Sequence, residues 1–298
     1  MSLTFLPWKF IICVLLVPTF LRVTDATSRR KWKQESGDTQ EHDLGRSFKD
    51  NSNLLVKHII DNSAQSAHLD HMDPSFHVFF TLDDLKVGKT TPFYISIKDP
   101  SSSPHLLSRS EATLIPFSSE QLPNVLESLS LSKDSPQAKA MEYTLRQCEL
   151  ESMKGETKFC ATSLESMLDF AQTTFGLDTK FRVLTTNHLT KPTATLQNYT
   201  ILEEPKEIVA KKMIGCHIMP YPYVVYYCHS QEGGNRLFEF LLGGKNGERV
   251  KAAGVCHVDT SQWDSDNVSF RVLNIEKGTS PVCHIFQADD MVWIPLAA

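Results

Sequence analysis

Four cysteine–histidine dipeptides in the last third of the chain constrain its fold more than any other feature of the sequence. Random placement of seven cysteines and eleven histidines among 298 residues would give about 0.3 such dipeptides, whereas the chain has four, at residues 216–217, 228–229, 256–257 and 283–284. Both side chains bind metals, and cysteine also forms disulfides. The repeated adjacency predicts that the four pairs share one structural or chemical role.

Each pair lies on or at the end of a short run of β-branched and aromatic residues, which is typical of strands. Successive side chains of a strand point to opposite faces, so a cysteine and the histidine after it diverge. We therefore expect cysteines on one face, where they form disulfides, and histidines on the other, where they gather around a metal. The alternative is that each imidazole bonds only to a backbone carbonyl. The candidate metal ligands are His217, His229, His257 and His284.

A set of histidines without carboxylate or free thiolate ligands favours copper or zinc over calcium or magnesium. Copper would add redox chemistry that zinc lacks, but no catalytic residue is evident from the sequence. Four tyrosines flank the second pair, and they could line such a site or relay an electron. Core packing is the simpler interpretation, because aromatic residues are ordinary in strands. These tyrosines are Tyr221, Tyr223, Tyr226 and Tyr227.

Six cysteines follow the N-terminal leader described below, an even number that suits complete oxidation in an exported protein. Cys148 lies at the end of one predicted helix and Cys160 just before the next. We therefore predict a Cys148–Cys160 disulfide. The other four cysteines are expected to pair among themselves, in an order that the sequence leaves open; they are Cys216, Cys228, Cys256 and Cys283.

The first 26 residues are typical of a secretory signal peptide. Lys9 precedes an apolar run over residues 10–21 that Pro18 interrupts, and small residues follow at 24–26. The run is shorter than the roughly 20 residues that span a bilayer, so we expect no transmembrane span after cleavage, with an uncleaved anchor as the alternative. Two sequons in the mature chain, at Asn198 and Asn267, are candidate N-glycosylation sites.

The remaining composition limits the domain count and the partners. The net charge of −5 comes from intermixed acidic and basic residues, without the basic surface that nucleic acid requires. Residues 27–75 are polar and too poor in apolar residues to offset the entropy of ordering, which predicts a mobile pro-segment with at most a short helix over 54–60. Residues 76–298 then form one domain.

Within that domain, hydrophobic spacing and capping residues predict helices over 119–131, from Ser135 to Cys148, and from a Thr162–Glu165 capping box to Gly176. Later segments are rich in strand-forming residues and separated by glycine-containing turns. We predict an α+β fold in which N-terminal helices pack on a mainly antiparallel β C-terminal half. The predicted strands span residues 223–227, 236–242, 268–275 and 291–296.

Further motifs accompany the four pairs, whose spacing is CH-x10-CH-x26-CH-x25-CH. They are FFTLDDLKVG at 79–88, LIPFS at 114–118, FCATSLESM at 159–167, MPYPYVVYY at 219–227 and VWIP at 292–295. Together they resemble the plant BURP-domain family over roughly residues 76–298. The short segment before the domain, without tandem repeats, is most similar to the unknown-seed-protein branch.

The resemblance implies a disulfide-linked BURP fold and two alternative functions. In some family members the motif histidines are copper ligands of a peptide cyclase that crosslinks Trp or Tyr side chains of a core peptide, which implies copper at His217, His229, His257 and His284. Members of the seed-protein branch are associated instead with the Golgi route to the storage vacuole or cell wall and with stress-related development. Trp32 is the one tryptophan of the pro-segment, which has no repeat, and this favours the second function. Possible partners are a peptide substrate or a cell-wall polymer.

Overall fold

The computed structural model describes residues 76–97 and 106–296, and its strands form two antiparallel sheets. The large sheet has the order β1-β12-β11-β10-β6-β2, with β5 beside β11 and β7 beside β10. Its strands are β1 (Phe79–Phe80), β2 (Thr90–Tyr94), β5 (Asn187–His188), β6 (Leu196–Ile201), β7 (Lys206–Ile208), β10 (Arg236–Gly244), β11 (Arg249–His257) and β12 (Val282–Ile285).

The small sheet has the order β3-β9-β8-β13-β4 and carries the first two cysteine–histidine pairs. All of its pairings are antiparallel. Its strands are β3 (Glu156–Ala161), β4 (Phe181–Leu184), β8 (Ile214–Met219), β9 (Val225–Gln231) and β13 (Met291–Pro295).

The large sheet curls so that its two edges approach each other. The backbone N–H of Tyr94, in β2, donates to the carbonyl of His77, just before β1, at 2.8 Å. Phe80 from β1 packs edge-on against Phe93 and Phe240, with ring centroids 5.6 and 5.9 Å apart. The inside of the curl is therefore one of the hydrophobic cores of the protein.

Helices cover the outer face of the small sheet. The apolar face of the fourth helix, with Met167 and Phe170, packs against Trp293 of β13, while Met141 and Leu145 of the third pack against Tyr221. Burial of these apolar faces, rather than intrinsic propensity, accounts for most of a helix's stability in a protein. The helices on this side are α1 (Arg109–Ala112), α2 (Leu122–Ser128), α3 (Pro136–Glu149) and α4 (Leu164–Phe175), whereas α5 (Val268–Leu273) packs beside β1 and β12 of the large sheet.

The inner faces of the two sheets pack against each other through a separate apolar cluster. Leu237 and Val255 of the large sheet join Val292 and Ile294 of the small sheet, and Phe286 lies buried among them. This contact brings β8 and β9 opposite β11 and β12. The four strands that carry the cysteine–histidine pairs therefore face one another across the inter-sheet core.

Three sequence predictions are corrected. Residues 268–275 are not a strand: α5 begins after Asn267, whose side chain accepts from Ser269 N at 3.0 Å, and ends at Asn274 in the left-handed conformation, with φ of 51°. The cap of α4 is Ser163 rather than Thr162, although Gly176 ends that helix as predicted. The helices are also not N-terminal in the described part of the chain, because β1 and β2 precede them. The helix predicted over 54–60 lies outside the described residues.

All six cysteines expected in the mature chain are paired, and the predicted Cys148–Cys160 disulfide is confirmed. The other two bridges are Cys216–Cys228 and Cys256–Cys283. Each joins residues directly opposite one another on neighbouring antiparallel strands, β8 with β9 and β11 with β12. These four cysteines are fully buried.

Among residues 76–97 and 106–296 there is no helix with the length and apolar character needed to cross a bilayer. The predicted signal peptide and pro-segment precede these residues and stay predictions.

Candidate metal centre

The two sheets bring all four motif histidines together. His217 and His229 extend from the small sheet, and His257 and His284 from the large one. Around the cluster the ring centroids are separated by 5.7 Å (217 to 229), 6.3 Å (229 to 257), 5.4 Å (257 to 284) and 5.3 Å (284 to 217). The Nε2 atoms of His257 and His284 are 3.4 Å apart. The predicted convergence of the imidazoles is thus present in the structure.

Strand register accounts for this convergence. Cys216 lies opposite Cys228 and Cys256 opposite Cys283, so each disulfide fixes two strands with both sulfurs on one face. The next residue on each strand points to the other face. The sulfurs consequently lie in the core on the far face of each sheet, and the imidazoles lie in the space between the sheets.

The outward nitrogens of three rings are fixed by oxygen acceptors. Nδ1 of His217 donates to Asp290 Oδ2 at 3.0 Å, and Nδ1 of His229 donates to Glu156 Oε1 at 3.0 Å, because an ionised carboxylate only accepts. Nδ1 of His257 lies 3.1 Å from the amide oxygen of Asn235, whose Nδ2 donates to a backbone carbonyl. The proton therefore resides on Nδ1 in all three rings, and the lone pair resides on Nε2.

Burial favours the neutral form of three of the imidazoles. It lowers the pKa of His257 well below the ordinary value, and the neighbouring histidines lower it further. Burial lowers the pKa of His284 to about 3, and the nearness of His217 and His229 contributes, because protonated rings in one cluster would repel each other. The pKa of His229 is also lowered by burial, despite the opposing hydrogen bond to Glu156. Neutral imidazole is the form that binds metals.

The carboxylates behind the rings remain charged. Burial acts to raise the pKa of Glu156, but the hydrogen bonds from His229 and the Met153 backbone N–H, together with the charge of Lys158, outweigh it, and the pKa lies below the ordinary value. For Asp290, burial is likewise outweighed by His217 and by hydrogen bonds from two backbone N–H groups, so its pKa is lowered. Carboxylate–histidine pairs of this kind orient metal ligands and raise their basicity.

Aromatic rings and a glycine shape the space around the cluster. Phe286 stacks on His217 with an interplanar angle of 4°, and Trp263 packs edge-on against His257 with centroids 5.1 Å apart. A Cβ on Gly215 would lie 3.2 Å from the Phe286 ring and 3.6 Å from His217 Nε2, so the glycine keeps this space open. Beside His229 and His257 lies a cavity of about 10 Å³, close to the room that one water molecule requires.

The ring positions approach those needed to hold an ion. Within the described ranges, no three or more His, Cys, Asp or Glu side chains form a group that could hold a metal ion as they stand. With metal–nitrogen bonds of about 2.0–2.1 Å, four imidazoles around one tetrahedral ion would have centroids roughly 5 Å apart. The neighbouring separations of 5.3–6.3 Å exceed this only slightly. Neighbouring rings are therefore spaced nearly as in a four-histidine site, and ligation would require the rings to move closer together.

Of the four tyrosines that flank the second cysteine–histidine pair, one adjoins the histidine cluster. The ring of Tyr227 lies 5.4 Å from that of His229, and its hydroxyl donates to Glu156 Oε1 at 3.3 Å. Burial raises the pKa of Tyr227, and the charge of Glu156 raises it further. Tyr221 and Tyr223 lie in the core beneath the helices, and Tyr226 packs in the core beside α4. The core interpretation is correct for these three.

Sequence reasoning missed Glu156, Asp290 and Asn235. They are 73, 73 and 22 positions from their histidine partners, and no local motif connects the members of each pair.

The glycosylation candidates differ in setting. Asn198 is exposed on β6, whereas the Asn267 side chain caps α5. Modification of either asparagine stays a prediction.

The fold and the site define a disulfide-linked, two-sheet protein with a histidine cluster between the sheets. The BURP domain family model matches residues 78–295, and the chain belongs to the BURP-domain family. This confirms the family predicted from the sequence.

Plant relatives match over most of the chain. It is 46% identical over 227 residues to BURP domain protein USPL1 of Arabidopsis thaliana, covering 74% of this chain and 81% of that protein. It is 44% identical over 250 residues to BURP domain-containing protein BNM2A of Brassica napus, covering 80% and 89%. Identity to BURP domain protein RD22 of Arabidopsis thaliana is 36% over 226 residues, covering 75% and 57%. The similarity to USPL1 agrees with the predicted unknown-seed-protein branch.

Proposed function

We propose that this BURP protein holds one copper or zinc ion between its two sheets, through Nε2 of His217, His229, His257 and His284. The observation that carries the proposal is that three of these rings have Nδ1 bonded to an outward oxygen, which leaves Nε2 as the free donor. An imidazole with its other nitrogen held in this way is the usual form of a metal-bound histidine.

The bound ion acts as a clamp. Two ligands come from each sheet, so ligation ties β8 and β9 to β11 and β12 across the inter-sheet core. The small cavity beside the rings suits an ion better than an organic ligand. The Cys216–Cys228 and Cys256–Cys283 bridges fix the strands on which the ligands lie, so that the two ligands of each sheet are held side by side before the metal binds.

Secretion and a role in seed or stress-related development complete the proposal. The N-terminal leader and the three disulfides support passage through the oxidising secretory pathway and Golgi, toward the cell wall or a storage vacuole. Similarity to USPL1 supports the seed-protein branch. In this role the protein associates with a cell-wall polymer or another polypeptide and needs no catalytic group.

Metal-dependent melting tests the clamp. Addition of copper or zinc at a thousand times its dissociation constant stabilises the native state by about 4 kcal/mol, which corresponds to a rise of roughly 8–16 °C in melting temperature for a domain of this size. Differential scanning calorimetry with and without a chelator measures this rise in melting temperature. Elemental analysis is expected to find one bound ion per chain. His77→Ala, outside the cluster, is the matched control and is expected to retain the full rise. An unchanged melting temperature for the wild type would refute the clamp.

A second candidate function is a copper-dependent peptide cyclase, and the exposure of the cluster on one side favours it. The His217 side chain is 27% exposed and that of His229 is 18% exposed, so a substrate side chain could approach there. Copper, when bound, would supply one-electron oxidation of an indole or phenol. In that role the chain's own residues would orient the ligands and hold the peptide close.

Mass spectrometry separates the two functions. The clamp predicts no change in the covalent mass of Trp- or Tyr-containing peptides, or of the protein itself, after incubation with copper and oxygen. The cyclase predicts the loss of two hydrogens per crosslink, with copper and not with zinc. Zinc-loaded protein is the control because it fills the same site without redox chemistry. A crosslinked product would establish the cyclase.

A further inference from the structure

The two histidines of the small sheet differ from His257 of the large sheet in the charge behind Nδ1. Nδ1 of His217 is bonded to the carboxylate of Asp290, and Nδ1 of His229 to that of Glu156. Both carboxylate side chains are buried, with 8% of Asp290 and 3% of Glu156 exposed. Nδ1 of His257 meets the neutral amide of Asn235. The cluster therefore has two buried negative charges next to its ligands, both on the side of the small sheet.

Other donors fix both carboxylates. Asp290 accepts from the backbone N–H of Ile218 at 2.9 Å and of Gln287 at 3.2 Å. Glu156 accepts from the backbone N–H of Met153 at 3.1 Å, in addition to the Tyr227 hydroxyl. The carboxylates thus have positions that do not depend on the imidazoles alone, and they can orient the rings.

We propose that Glu156 and Asp290 are positioning residues that select a divalent ion, so that the site favours Zn(II) or Cu(II) over Cu(I). The inference rests on the metal site proposed above. Glu156 and Asp290 place two buried carboxylates directly behind ligand nitrogens, and each carboxylate favours a divalent ion over a monovalent one at the same position. Uncompensated charge is costly in a buried site, and each carboxylate attracts a divalent ion twice as strongly as a monovalent one.

Glu156→Gln and Asp290→Asn test the inference, because each amide retains an acceptor oxygen for Nδ1 and removes the charge. Each substitution is expected to lower Zn(II) affinity about 10–100-fold, as is typical when such outer partners are lost. Because each carboxylate attracts monovalent Cu(I) half as strongly as Zn(II), the expected loss of Cu(I) affinity is only about 3–10-fold. Competition with a chromophoric chelator measures the affinity for each ion and hence the ratio of Zn(II) affinity to Cu(I) affinity. In copper-loaded protein the reduction potential should rise by 59 mV for each tenfold change in the Cu(II)/Cu(I) affinity ratio.

Glu248→Gln is the matched control. Glu248 is also buried and bonded to a histidine, His188 at 2.8 Å, but that ring is not part of the cluster. Its substitution is expected to leave the affinity ratio unchanged. Circular dichroism of the metal-free proteins establishes folding. Because Glu156 and Asp290 lie in different elements, either variant that folds decides the question.

Two negative results have different meanings. If the wild type binds Zn(II) and the variants lose affinity for both ions equally, or for neither, charge selection is wrong and the metal site stands. If the wild type binds neither Zn(II), Cu(II) nor Cu(I), the proposed function fails, and this inference fails with it.

Discussion

His284→Ala is expected to lower the affinity for copper or zinc by about 100-fold or more. Structural sites with four ligands bind zinc with about 10–16 kcal/mol, so the loss of one ligand removes roughly 3 kcal/mol. His284 contacts both His217 of the small sheet and His257 of the large sheet, so its removal also eliminates a contact between the ligands of the two sheets. Isothermal titration of the metal-free protein measures the loss.

The same variant distinguishes the role of the metal. Its disulfides and cores remain, so the metal-free protein should melt close to the wild-type metal-free temperature. At a metal concentration a thousand times the wild-type dissociation constant, a 100-fold loss of affinity leaves about 1.4 kcal/mol of stabilisation, roughly a third of the wild-type effect. His77→Ala is the control for the loss of a histidine as such. A metal affinity of His284→Ala equal to that of the wild type would refute both the clamp and the cyclase.

Removal of the Cys256–Cys283 bridge, by alanine at both positions, is expected to destabilise the fold by about 3–4 kcal/mol on the chain-entropy model. The bridge spans 27 residues and holds β11 against β12, whose register sets the positions of His257 and His284. Metal affinity should therefore fall together with stability. Chemical denaturation and metal titration of the same preparation measure the two effects.

The Cys148–Cys160 bridge provides the matched control for that prediction. It joins α3 to β3 and carries no motif histidine. Alanine at both positions should cost about 3 kcal/mol of stability by the same model and leave metal affinity unchanged. If removal of the two bridges changes metal affinity equally, the disulfides do not position the site.

Much of the cluster could be predicted from the sequence because its determinants are local. Adjacent Cys216 and His217 must diverge on a strand, so four repeats of the pair fix one face for sulfur and one for imidazole. The Cys148–Cys160 bridge follows from two neighbouring elements. The pairing of the motif cysteines could not be predicted, because it depends on which strands become neighbours in the sheets. Cys256 and Cys283, for example, are 27 residues apart in the chain.

The errors have physical causes as well. Residues 268–275 contain β-branched and aromatic residues typical of a strand, but the Asn267 cap and the burial of Phe270 beside Trp263 stabilise a helix there. The carboxylates behind the imidazoles depend on tertiary contacts that no local pattern records. The order of helices and strands was misjudged because β1 and β2 are short and pair with strands far along the chain.

A crystal structure of the metal-loaded protein, with anomalous scattering at the metal edge, tests the central claim most directly. We expect one ion between the sheets, at about 2.0–2.1 Å from Nε2 of the four motif histidines. The Nδ1 atoms of His217 and His229 should remain bonded to Asp290 and Glu156. An ion bound elsewhere, or no ion at saturating copper and zinc, would contradict the account.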